Sequence, residues 1–184
     1  MNGGEWRGAA KECGWNMHIF RCSGLYSNNR SAIHTIRKNG VVEGSLATKV
    51  GNPTSRIHEE DVTRAILSAA IKYYNDEPVD NVCLWNLADE YPSPRSEVME
   101  FGTKLLEDAN LLPVKIAESS TKLQSTAAKT QSQRASRRST DRKRVANQKM
   151  KDLLLPELLY PSFREGLQSI LDYNREKWSS ESDR

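Results

Sequence analysis

Ala88-Asp89-Glu90-Tyr91-Pro92-Ser93-Pro94-Arg95-Ser96-Glu97-Val98 is followed by Met99 to Asn110 and then by Leu111-Leu112. The run reads as a helix end, a tight turn and a second helix. Ser93 is a good N-cap type. Pro94 suits the first helical position, where proline's missing N–H would have no partner anyway. Val98, Phe101, Leu105 and Ala109 recur on one helical face, with Leu106 beside them. Asn110 tolerates the left-handed backbone that ends many helices, and Pro113 bars continuation.

Working outward, Glu59-Glu60-Asp61 places three acids at the positive end of a preceding helix. Val62, Ala65, Ile66, Ala69, Ala70 and Tyr73 then repeat at helical spacing, the cleanest such signal in the chain. Leu67, Ile71 and Tyr74 widen the apolar surface, so this helix is expected to pack on more than one side. Val79 to Tyr91 is expected to be a second helix, striped by Trp85, Ala88 and Tyr91. With Pro94 to Ala109 this gives three consecutive helices around one core, each large buried side chain contributing on the order of 1.5–3 kcal/mol.

Ala88 followed ten residues later by Val98 across a turn, with Leu106-Glu107-Asp108-Ala109-Asn110-Leu111-Leu112 as the exit, resembles the helix-turn-helix of winged-helix domains. The resemblance implies a winged helix over residues 57–116 and a DNA-reading helix carrying Arg95, Ser96 and Lys104. Pro92, Ser93 and Pro94 depart from the turn usual in that family. Glu97, Glu100, Glu107 and Asp108 would set an acidic face against a phosphate backbone.

The expected organisation is mainly α. A Gly-rich appendage of small or irregular β structure spans 1–56 and holds eight of the ten glycines. A helical core covers 57–118, a polar basic linker 119–141, a C-terminal helical region 142–178, and a disordered tail 179–184. Within the appendage, Met17 to Cys22 reads as a short strand. Asn39-Gly40 reads as a hairpin turn or a helix end, with β structure favoured. Ser162-Phe163-Arg164-Glu165 is a capping box. Phe163, Leu167, Ile170, Leu171, Asn174 and Trp178 share a face of the helix it opens. That face needs an apolar partner, either the central helices or another chain. Leu155-Pro156-Glu157-Leu158-Leu159 matches a groove-docking L-x-x-L-L pattern, although core packing accounts for the same leucines.

The formal net charge of +3 hides a strong asymmetry. Ser119 to Lys151 holds ten Lys/Arg and one acid, a balance of +9, and the remainder carries −6. Arg134, Arg137, Arg138, Arg142, Lys143, Arg144, Lys149 and Lys151 are the candidate nucleic-acid-binding side chains, since neutralising phosphates releases counterions without reading sequence. No aromatic residue is interleaved among the arginines, so stacking on single-stranded bases is not indicated. Ser136 and Ser139 sit at basophilic-kinase spacing, where phosphorylation would weaken anion binding.

Cys13, Cys22 and Cys83 are sparse and odd in number, which suits a reducing compartment better than a disulfide scaffold. Cys13, His18, Cys22 and His34 lack the closely spaced ligand pair that zinc sites use, so no metal or other cofactor is expected. No glycine phosphate loop, nucleophile elbow or H-E-x-x-H pattern occurs. No membrane-spanning run or secretory signal is evident, which points to a nuclear or cytoplasmic protein. The function expected is non-enzymatic. In the leading reading the basic segment holds RNA or DNA, and the C-terminal helix, through Phe163, Leu167, Ile170, Leu171 and Trp178, meets a protein partner or a second copy. The alternatives are a protein–protein adaptor that binds no nucleic acid and a winged-helix transcriptional regulator.

Overall fold

The computed structural model describes residues 8–10, 12–39, 52–75, 82–112 and 144–182. In chain order the elements are β1 (Met17–Cys22), β2 (Gly24–Tyr26), α1 (Ala32–Asn39), β3 (Arg56–His58) and α2 (Glu59–Tyr74). They are followed by β4 (Val82–Leu87), α3 (Arg95–Asp108), α4 (Gln148–Leu153) and α5 (Phe163–Ser182). β1 pairs in parallel with β4, Met17 opposite Val82 and Cys22 opposite Leu87. β2 pairs in parallel with β3, Gly24 opposite Arg56 and Tyr26 opposite His58. β1 and β2 form one extended run that changes partner at Ser23. The Ser23 N–H donates to Leu87 O (3.0 Å) and the next N–H, of Gly24, donates to Ser55 O (3.1 Å).

The protein is therefore a mixed α/β structure with parallel strands, not a mainly α protein with a three-helix core. The segment that overturns that expectation is Val82–Leu87. Cys83, Trp85 and Leu87 are buried, and Val82, Leu84 and Asn86 alternate with them half-buried. That period of two marks a strand. Trp85, Ala88 and Tyr91 also fall three apart, which is why the stretch mimics a helical stripe; a short apolar run carries too few turns to separate the periods. The first helix of the expected helix-turn-helix is thus a strand. α1 lies between the paired strands β2 and β3 in the chain, where a parallel pair requires a crossover.

Other expectations match the structure. α2 begins at Glu59 with Glu59, Glu60 and Asp61 in its first turn. Asn110 closes α3 in the left-handed region, at φ 56°. The capping box forms: Arg164 N–H donates to Ser162 Oγ (3.2 Å), and Ser162 N–H donates to Glu165 Oε2 (3.1 Å). α3 starts at Arg95 with Pro94 as cap residue, so Ser93 makes no cap; its hydroxyl donates to Tyr91 O. Ala32–Asn39 is a helix and not a hairpin arm, with Ile33 and Ile36 buried three apart. The helix α5 continues through Ser182, beyond the expected start of the tail.

Two cores result. Tyr26, Ile33 and Ile36 pack with Val98 and Leu106 of α3 and with Phe163, Leu167, Ile170, Leu171 and Trp178 of α5. Ile57, Ala65, Ala69, Cys83, Trp85 and Leu87 pack with Met150, Leu154, Leu155 and Leu158. The N-terminal strands and α1 are thus built into the cores. The apolar face of α5 is covered by this same chain: Phe163 and Leu167 are 1% exposed and Ile170 0%. The five residues assigned to a partner are consequently core residues, because α1 and α3 already occupy the face they form. Leu155 and Leu158 of the L-x-x-L-L pattern are buried with the second core, and Leu159 is exposed. Among the described residues no helix is long and apolar enough to cross a membrane.

Candidate anion-binding cleft

A cleft of about 660 Å³ lies where the β1–β2 run meets α1, α3 and α5. Its charged lining is Arg30, Arg56 and Arg95; no carboxylate and no histidine lines it among the described residues. Hydroxyls of Ser31, Thr35, Thr54 and Ser55 share the walls, and Val98, Met99, Phe163 and Leu167 supply an apolar floor. Ala32, Arg95 and Phe163 are the first residues of three helices, and helix N-termini carry partial positive charge.

Arg56 is the fixed cation. It enters from β3, and its Nη1 donates to Thr54 O (2.9 Å) and Ser93 O (2.7 Å). Both acceptors are neutral carbonyls. They position the guanidinium without neutralising it, and its Nη2 and Nε have no acceptor among the described residues. Burial pushes the Arg56 pKa down and the nearby charge of Arg95 adds to this, while Asp89, Tyr26 and Glu97 act in the opposite sense. Two like charges so placed favour an anion between them. Neither Arg30 nor Arg95 makes an ion pair among the described residues.

A buried polar cluster holds these walls in place. Asp89 is 2% exposed and accepts the backbone N–H of Arg56 (3.2 Å). Burial pushes its carboxyl up to about 7, against the hydrogen bond and charge of Arg56, which pull it down. Tyr26, which lines the cleft, lies edge-on to the buried ring of His58 at 5.1 Å, and Tyr160 packs on His58 at 4.2 Å. His58 Nδ1 accepts the N–H of Glu60 (3.2 Å), and burial lowers its pKa. Asp61 is fully buried and accepts the N–H groups of Leu159 (2.8 Å) and Tyr160 (3.0 Å). It thereby ties α2 to the turn that launches α5.

The sequence-based candidates fall elsewhere. Arg134, Arg137, Arg138, Arg142, Lys143, Ser136 and Ser139 lie outside the described residues, as do the 119–141 linker and the wing strand expected at Val114. Arg144 is exposed. Lys149 lies over the Trp85 ring, 4.7 Å from its centroid, and Lys151 is paired with Glu90. Lys151 is therefore engaged within the chain and does not present an open cation. Val145, directly after Arg144, lines the cleft, and its N–H donates to Ser55 Oγ (2.9 Å). Among the described residues no group of three or more His, Cys, Asp or Glu could hold a metal. His18 Nδ1 instead accepts from Trp85 Nε1 (3.1 Å), and His34 pairs with the Ser31 hydroxyl (2.9 Å).

Sequence reasoning missed Arg30, Arg56 and Asp89. The three lie far apart in the chain, and Asp89 reads there only as half of an acid pair with Glu90. The one available signal was the sequence Thr54-Ser55-Arg56-Ile57-His58, a basic residue within a short strand leading into an acid-rich helix start.

No protein-family model matches the chain, and no curated relative does. The fold is similar to that of a functionally unknown conserved protein from Silicibacter pomeroyi DSS, at 25% identity and a TM-score of 0.55. The match covers 85% of this chain and 49% of that one, so the chain spans about half the length of the protein it resembles.

Proposed function

We propose that this chain is a binding module for a phosphate-bearing organic ligand, held in the Arg30–Arg56–Arg95 cleft. The observation that carries the proposal is Arg56, a part-buried guanidinium aimed by two carbonyls, with a second arginine beside it and no lining carboxylate among the described residues. A guanidinium fork matches phosphate oxygens, and hydrogen bonds to charged groups contribute about 1.5–3 kcal/mol each. The serine and threonine hydroxyls add neutral donors. The floor of Val98, Met99, Phe163 and Leu167 suits the apolar or aromatic part of a nucleotide-sized molecule.

Titration calorimetry with nucleoside mono- and diphosphates tests this. Binding is expected for the wild-type chain, with Arg56→Met weakening it on the order of tenfold to a hundredfold and Arg95→Ala by less. The absence of binding, or binding indifferent to Arg56→Met, overturns the proposal.

A second reading keeps the nucleic-acid role, with a backbone phosphate in the same cleft. One observation favours it: the basic run of Arg134 to Arg144 ends one residue before Val145, at the cleft wall. It predicts RNA or DNA binding whose salt slope falls by about 0.7–0.9 for each phosphate that is no longer neutralised. Arg144→Ala would reduce that slope. Small nucleotides would then bind only weakly.

A further inference from the structure

Asp89 acts on the cleft from outside its lining. Its Oδ1 accepts the backbone N–H of Arg56 (3.2 Å), and its own N–H donates to Arg56 O (2.6 Å). The acid is thus fastened, backbone to backbone, to the residue that carries the fixed cation. Its Oδ2 is buried and has no hydrogen-bond partner among the described residues, and no cation forms an ion pair with it there. An ionised carboxylate so placed is poorly compensated, and the neutral acid suits the position better.

The charged groups around it come from every neighbouring element. Arg56 of β3 favours the ionised acid, and Glu90 opposes it while paired with Lys151 of α4. Arg95 and Glu97 of α3 bear on Arg56 with opposite signs. Tyr26 of β2 feels Asp89 together with Asp61 of α2 and Glu165 of α5, and burial keeps its hydroxyl protonated. His58, beyond Tyr26, has its pKa lowered by burial and is neutral at and above pH ~7. Asn147, ahead of α4, brings only a neutral amide, which donates to Ala88 O and Asp89 O. Asp89, pushed up to about 7, is therefore the member of this cluster whose charge changes near neutrality.

We propose that Asp89 couples proton uptake to anion binding in the Arg30–Arg56–Arg95 cleft, so that the ligand is held more tightly once this acid is protonated. The inference rests on the phosphate-binding reading of that cleft. An ionised Asp89 repels a phosphate held at Arg56 and offsets part of the guanidinium's attraction; a protonated one does neither. A bound anion therefore strengthens proton binding at Asp89, and the proton strengthens anion binding by the same factor. Free Asp89 titrates near 7 and the liganded form higher. Affinity is then level below about pH 7 and falls as pH rises above it. A phosphate monoester has its second pKa near ~6, so the ligand's own charge is nearly constant over that upper window.

The probe is adenosine diphosphate, titrated calorimetrically into the full chain. Between about pH 7 and about pH 9 the wild type should lose about three- to tenfold in affinity. Asp89→Asn, which keeps an acceptor for the Arg56 N–H and carries no charge, should stay level across the range and bind at least as tightly as wild type at the upper end. Glu90→Gln should keep the wild-type slope. A measurement that needs no variant is calorimetry near pH ~7.5 in buffers of different ionisation enthalpy, where the wild type should take up a fraction of a proton on binding. A level wild-type profile, no proton uptake, or a slope that survives in Asp89→Asn overturns the coupling and leaves phosphate binding standing. Failure to bind at every pH overturns the phosphate reading itself, and the coupling with it.

Discussion

Replacing Gly166 by Ala should destabilise the protein, although alanine is the better helix former. Gly166 lies in α5, where the Tyr26 ring packs directly on the helix backbone. A Cβ added there would clash with the Tyr26 Oη and sit 2.6 Å from its Cε2 and 2.8 Å from its Cζ. Unstrained carbon contacts lie near ~3.5–4.0 Å, so the ring must retreat by on the order of 1 Å. It has little room to do so, because Tyr26 is 7% exposed and its other side meets His58. Overpacking of this kind costs about 1–3 kcal/mol, and the Gly-to-Ala propensity gain returns up to ~1 kcal/mol. The expected net loss is about 1–2 kcal/mol. Urea unfolding followed by tryptophan fluorescence would read it through the buried Trp85 and Trp178. With a slope of roughly 1–3 kcal/mol per molar urea, the midpoint should fall by about 0.3–2 M at unchanged slope. Tyr26→Phe removes only the closest of the three contacts, so it should restore part of the loss in the double variant. A midpoint that rises in Gly166→Ala would refute the packing argument.

Asp89→Asn should flatten the pH dependence of stability. The folded carboxyl is pushed up to about 7 from an ordinary 3.8. The folded chain therefore retains a proton that the unfolded chain releases between those values, and this group's contribution is lost as pH rises from about 4 to 7. Urea midpoints across that window should show the wild type losing more than the variant, which keeps an acceptor for the Arg56 N–H. Trp178→Ala should cost about 3–5 kcal/mol even in a monomer. The indole is buried in this chain's core with the Arg37 guanidinium 4.6 Å from its ring centroid; an unchanged melting temperature would place that face at a partner instead. Lys151→Ala should cost less than about 1 kcal/mol, since its pair with Glu90 is part-exposed, and a larger loss in urea unfolding would contradict that.

The helices with caps or long periodic faces could be read directly. α2 announces itself by six apolar residues at helical spacing after three acids, α3 by its left-handed Asn110, and α5 by its capping box. The strands could not. β2 and β3 are three residues each, too short for any period to show. Their existence depends on each other, since a parallel pair joins residues far apart in the chain, as Gly24 joins Arg56. β4 shows the related failure, in which a six-residue run satisfies two periods and only its neighbour β1 selects one. The cleft was invisible for the same reason. Arg30 and Arg56 carry no local signature, and Arg95 stood out only through the helix-turn-helix resemblance, whereas the dense arginine run near residue 140 draws attention by composition alone.

The cleft walls come from four distant parts of the sequence, represented by Tyr26, Arg56, Arg95 and Phe163. Unfolding scatters them, so an occupant of the site has nothing to hold in the denatured chain. Its affinity must then add to the work of melting: about 2.7 kcal/mol when the compound is present at a hundred times its dissociation constant. Thermal denaturation against a chemical library would accordingly rank candidate occupants without any assay of activity, the true one raising the melting temperature of wild-type protein more than that of Arg56→Met.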